Sequence, residues 1–142
     1  MKRIGVDYGR RRIGVATTDD SGSHVRGLCV IDRQREPDAI TALNNIITRE
    51  QARQIVFGLP LDADDRETAM AVEVKEFARA LAQQCALPQF FIDESNSSKQ
   101  AQVMLRSRKK KQRRNKSLID VAAACIILDS FIREQSFEAV IA

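Results

Sequence analysis

Apolar residues along this chain follow two different spacings. Residues 3–7 and 13–18 read as short strands joined by a turn from Tyr8 to Arg12, with glycines where a turn needs them. Asp19-Asp20-Ser21-Gly22-Ser23 is a second turn cluster, and Val25 to Ile31 reads as a third strand. Three consecutive strands with tight connections predict an antiparallel meander. The period then changes. Pro37 suits a first helical turn, and Ile40, Leu43, Ile46 and Ile47 recur at helical spacing. Gln54 to Gly58 predicts a buried strand ended by Gly58 and Pro60. From about Asp65 to Ala86, the residues Met70, Val74, Phe77, Ala78, Leu81 and Cys85 form the stripe of a long amphipathic helix.

Phe90-Phe91-Ile92 predicts a fifth strand. Ser97-Ser98-Lys99-Gln100 has the form of a capping box, with Ala101, Met104 and Leu105 inward on the helix that follows. Ser117 offers an N-cap for a last helix carrying Ala123, Ala124, Ile127, Leu128 and Phe131. Later strands alternating with helices imply parallel crossovers onto the sheet that the meander begins. The expected fold class is therefore α/β, a mixed five-stranded sheet with helices on both faces. The 142 residues suit a single domain spanning 1–142.

Charge changes this picture at one place. The formal net charge is only +4, yet residues 106–116 hold Arg106, Arg108, Lys109, Lys110, Lys111, Arg113, Arg114 and Lys116 with no acidic residue. Without these eight, 15 basic residues face 19 acidic ones, so the positive charge is a local device on a slightly acidic body. Such a patch points to a polyanionic partner, although a solvated loop without a partner has the same composition. Cys29, Cys85 and Cys125 are odd in number and without paired spacing, which argues against a zinc site or a disulfide framework and for a reducing cytoplasm. No apolar stretch approaches the roughly 20 residues that span a bilayer, so no membrane partner is expected.

Ligands of such sheets lie beyond the carboxyl ends of the parallel strands. Asp7 ends the first strand, Asp93 and Glu94 end the fifth, and Asp120 lies in the first turn of the last helix. If the last helix packs with its N-terminus at this edge, Asp120 joins Asp7 and Asp93 or Glu94, and three carboxylates from three distant segments surround one point. Two unit charges about 4 Å apart repel by about 4 kcal/mol at an effective dielectric of 20, a conflict that a hard dication resolves. Oxygen ligands suit Mg²⁺ or Mn²⁺, and a pair of such ions activates water against a phosphodiester. His24 is the only histidine and lies at the far end of the sheet, which favours metal chemistry over histidine catalysis. Each acid also has a structural use: Asp7 in an Asx turn, Glu94 before a helix, Asp120 after a cap at Ser117. Asp62, Asp64 and Asp65 read as caps of the long helix.

These residues resemble the YqgF/RuvX family, the Holliday junction resolvase-like branch of the ribonuclease H superfamily. The resemblance rests on Gly5-Val6-Asp7-Tyr8-Gly9-Arg10-Arg11-Arg12-Ile13-Gly14-Val15-Ala16, on Gly58-Leu59-Pro60-Leu61, on Asp93-Glu94 and on Ile119-Asp120-Val121-Ala122-Ala123-Ala124, in order along nearly the whole chain. It implies a ribonuclease H-like fold with Asp7, Glu94 and Asp120 as catalytic, metal-binding acids. It also implies a bacterial cytoplasmic nuclease that matures the 5′ end of pre-16S rRNA, with branched DNA the alternative substrate, as a monomer or homodimer. Arg10, Arg11 and Arg12 and the basic segment would grip the nucleic-acid backbone without reading sequence.

Two departures from the family pattern stand out. Ser95 replaces the usual arginine after Asp-Glu, and the segment after Leu61 lacks a glycine turn. Two other classes compete with a nuclease. One is a non-catalytic RNA-binding factor of ribosome assembly. The other is a phosphotransferase, since Asp-x-Gly also opens sugar kinases, but those enclose a nucleotide between two such domains and this chain supplies one.

Overall fold

The computed structural model describes residues 1–62, 64, 66–94 and 116–141. Its strands are β1 (Arg3–Asp7), β2 (Arg12–Thr18), β3 (Val25–Asp32), β4 (Gln54–Leu59) and β5 (Gln89–Asp93). Its helices are α1 (Ala39–Glu50), α2 (Ala69–Ala82) and α3 (Lys116–Ile141). The strands form one sheet in the order β3-β2-β1-β4-β5. β2 runs antiparallel to β1 and β3, while β4 runs parallel to β1 and β5. The expected meander and parallel crossovers are both present, and β1 is the central strand. The helix expected after Ser97 lies outside the described residues.

Alternation along each strand sorts the core into two layers. Ile4, Val6, Ile13, Val15, Ile55 and Phe57 point to one face and pack with Leu43 and Ile47 of α1 and Val74, Phe77 and Leu81 of α2. Ala16, Val56 and Ile92 point to the other and pack with Ala124, Ile127, Leu128 and Phe131 of α3. Gly5 and Asp7 alternate with Ile4 and Val6, so they share the α3 face. Helix α3 lies unusually close to the sheet there. A Cβ on Gly14 would fall on the backbone of Asp120, and one on Gly5 would lie 2.9 Å from both Ala124 O and Leu128 Cβ. Absent side chains on β1 and β2 therefore set the height of α3, and with it the position of Asp120.

Local signals corrected three expected boundaries. Gly58 does not end β4, which continues through it to Leu59. The long helix starts at Ala69, not near Asp65, because the Thr68 hydroxyl caps it by accepting from the Ala71 amide at 3.1 Å. Asp62 instead closes the preceding loop: its Oδ1 accepts from the Asp64 and Arg66 amides, and its own amide donates to Arg66 O. A carboxylate thus does the work of the expected glycine turn. Helix α3 begins at Lys116, so Ser117 lies within its first turn and does not precede it. Among the described residues, no helix is long and apolar enough to cross a membrane.

Candidate metal and nucleic-acid site

Asp7 sits where β1 leaves the sheet, on the face covered by α3. Glu94 follows β5 by one residue, and its amide donates to Leu59 O at 3.0 Å, extending the parallel pairing beyond the strand. Along β5, Phe90, Ile92 and Glu94 alternate onto the same face as Asp7. The two carboxyls meet: Asp7 is hydrogen-bonded to Glu94, with Asp120 close enough to act on it through space. Burial, then the charge and hydrogen bond of Glu94, and finally the charge of Asp120 push the Asp7 carboxyl from 3.8 up to about 9. The Asp7 carboxyl therefore favours its protonated form, with the proton held between it and Glu94.

Asp120 is engaged elsewhere. Arg12 Nε donates to Asp120 Oδ2 at 2.8 Å, tying the N-terminal part of α3, one turn in from Lys116, to the start of β2. Among the described residues, no three acidic, histidine or cysteine side chains close on a single point. Two of the three predicted acids are thus in contact, and the third is beside them but held by an arginine. The donor set still fits a hard dication. It is made of carboxylate oxygens, and two of them share a proton that a cation would displace.

The arginines after Asp7 have distinct surroundings. Arg10 forms an ion pair with Glu73 of α2 through Nε and Nη2, and Glu73 is held below the usual carboxylate range by that contact. Arg11 is exposed, and Arg12 is the partner of Asp120. Arg106, Arg108, Lys109, Lys110, Lys111, Arg113 and Arg114 lie outside the described residues, and Lys116 is placed only as the first residue of α3. Ser95 lies outside them as well.

The turn beside Asp7 is braced by residues that the sequence did not single out. Arg33 Nη1 donates to Tyr8 Oη at 3.0 Å and to Gly9 O at 3.2 Å, and its guanidinium lies over the rings of Tyr8 and Phe77 at 5.3 and 5.7 Å. Tyr8 Oη donates in turn to Glu73 Oε1 at 3.5 Å. Tyr8 was legible as part of a motif, but nothing in the pattern around Arg33 or Glu73 marks them as its partners. His24 pairs with Asp19 at 2.9 Å at the opposite end of the sheet, well away from these acids.

The sequence matches the RuvX family, described as Holliday junction resolvase, over residues 1–134. A protein of Crocosphaera subtropica, described as a candidate pre-16S rRNA nuclease, is 36% identical over 135 residues, 95% of this chain and 94% of the relative. A Synechococcus elongatus protein of the same description is 35% identical over 132 residues, covering 93% and 89% of the two chains. Among solved structures, Thermus thermophilus RuvC in complex with Holliday junction substrate aligns with a TM-score of 0.60 at 14% identity over 96% of each chain. That likeness is one of fold, and the fold is ribonuclease H-like.

Proposed function

The chain belongs to the RuvX family of Holliday junction resolvases, and on that premise we propose that it hydrolyses phosphodiester bonds in structured nucleic acid with a divalent cation. The favoured substrate is pre-16S rRNA, the substrate in its relatives' names, cut at its 5′ end, and the cytoplasm, where free cysteines persist, is its place. The observation that carries the reading is the Asp7–Glu94 contact at the carboxyl end of the central strand. A carboxylic acid pushed up to about 9 beside a second carboxylate is a poor structural arrangement and a suitable seat for Mg²⁺ or Mn²⁺.

Asp7 and Glu94 would hold the cation, with Asp120 completing the set. Bound there, one or two such ions would supply an activated water and charge to stabilise the leaving oxygen. The protein's own part is geometric. β1 and β5 fix two carboxyls on a rigid edge, and α3 brings Asp120 to the same edge. Arg11 and the basic segment 106–116 contribute cations for the phosphate backbone, which would set affinity and position without reading sequence.

The test is incubation of the purified chain with pre-16S rRNA and with a four-way DNA junction, each with Mn²⁺ and with chelator. Cleavage of the rRNA precursor that needs metal, and is lost in Asp7→Asn, supports the reading. Cleavage of the junction alone would reassign the substrate to branched DNA. Undiminished cutting by Asp7→Asn would remove the site.

A further inference from the structure

Strand β4 separates the two acids that meet. Asp7 belongs to β1 and Glu94 follows β5, so two strand spacings, roughly 10 Å, lie between their backbones. The Glu94 side chain closes that gap by lying flat across β4 at Gly58. A Cβ built on Gly58 would stand 2.6 Å from Glu94 Oε2, 2.8 Å from Glu94 Cβ and 2.6 Å from Ile127 Cδ1. Backbone freedom is not the reason for glycine here. The only described glycine with positive φ is Gly22, and Gly58 sits inside a regular parallel strand paired with Ile92.

We propose that Gly58 is a positioning residue of the acidic site, whose missing side chain is the channel through which Glu94 crosses β4 to reach Asp7. The inference rests on the metal-site reading above and gives the Gly58-Leu59-Pro60-Leu61 motif a role. Gly5 makes the contrast plain. It also lies close beneath α3, but the atoms nearest a Cβ there are Ala124 O and Leu128 Cβ, so it serves helix packing.

Gly58→Ala, Gly5→Ala and the parent separate these roles in the full chain. Crystal structures of the metal-free parent and Gly58→Ala read the Glu94 carboxylate directly: over residue 58 in the parent, displaced from Asp7 in the variant. Calorimetric titration with Mn²⁺ should show binding about tenfold or more weaker in Gly58→Ala, the size of effect typical of lost ligand support. Gly5→Ala, which presses on α3, should lower the urea midpoint and leave the Glu94 carboxylate over residue 58. If Gly58→Ala fails to fold, Gly58→Ala/Ile127→Ala removes the apolar overlap and keeps the clash with Glu94. An unmoved Glu94, or a variant that binds Mn²⁺ as the parent does, overturns the role of Gly58 and leaves the metal reading intact. A parent that binds no Mn²⁺ sinks the metal reading instead, and the crystal structures still decide how Glu94 is placed.

Discussion

Arg12 Nε lies 2.8 Å from Asp120 Oδ2, so the third acid of the site is neutralised by a residue 108 positions earlier in the chain. The pair is only about a quarter exposed on either side, which limits screening by water and salt. Arg12 thus competes with a cation for Asp120. It also stands ready to meet a phosphate if Asp120 turns to metal.

Arg12→Gln should then separate two effects. Removing the guanidinium raises the negative charge of the site, and Mn²⁺ should bind about fivefold tighter, the equivalent of about 1 kcal/mol for such a pair. Cleavage should nevertheless slow, because a backbone contact is lost. Calorimetry and single-turnover cleavage on the same protein check both halves. Unchanged Mn²⁺ affinity would show that Asp120 takes no part in the cation site.

The raised Asp7 carboxyl predicts the sign of a pH dependence. In the unfolded chain Asp7 loses its proton near 3.8, whereas in the folded chain it keeps it to about 9. Between these values the folded state binds one more proton, so this group's contribution to stability falls as pH rises through that window. In chelator, the urea midpoint of Asp7→Asn should therefore gain on the parent steadily from pH 5 towards pH 9. Saturating Mn²⁺ should reverse the order at pH 8, because only the parent binds it. A constant difference between the two proteins across pH would remove the shared proton from the account.

Strand alternation made the sheet legible, and with it the side of the sheet on which Asp7 and Glu94 meet. Ile4 and Val6 must go one way, so Gly5 and Asp7 go the other, and the same parity carries Phe90 and Ile92 to Glu94. Contacts between distant segments were not legible in the same way. Nothing local to Arg12 announces Asp120, and nothing local to Gly58 announces that another side chain occupies its place. Asp62 misled for a physical reason: an aspartate before a helix and an aspartate closing a turn use the same acceptor, and here the turn has it while Thr68 caps α2.

Binding to RNA should depend on salt through the basic segment. If about six phosphates are neutralised on single-stranded RNA, log K should fall against log salt with a slope of about −4. Changing Lys109, Lys110 and Lys111 to Gln should reduce that slope by about 2 and leave the urea midpoint unaltered. Filter binding of Asp7→Asn, which cannot cut, measures this without cleavage. A slope near zero in the parent would refute the backbone grip.

Tyr8 stands next to Asp7 in the sequence but faces another layer. Its ring packs against Phe77 at 5.2 Å, and its hydroxyl accepts from Arg33. Tyr8→Phe keeps the ring and deletes the hydroxyl, so it should cost about 1 kcal/mol of stability, the usual size of one hydrogen bond. Tyr8→Ala also empties part of the layer between β1 and α2 and should cost about 3 kcal/mol or more. With rRNA as substrate, Tyr8→Phe should retain the parent's kcat and KM at 25 °C while losing urea resistance. A tenfold fall in kcat at unchanged stability would instead place the Tyr8 hydroxyl on the substrate, and the bracing by Arg33 and Glu73 would then serve to aim it.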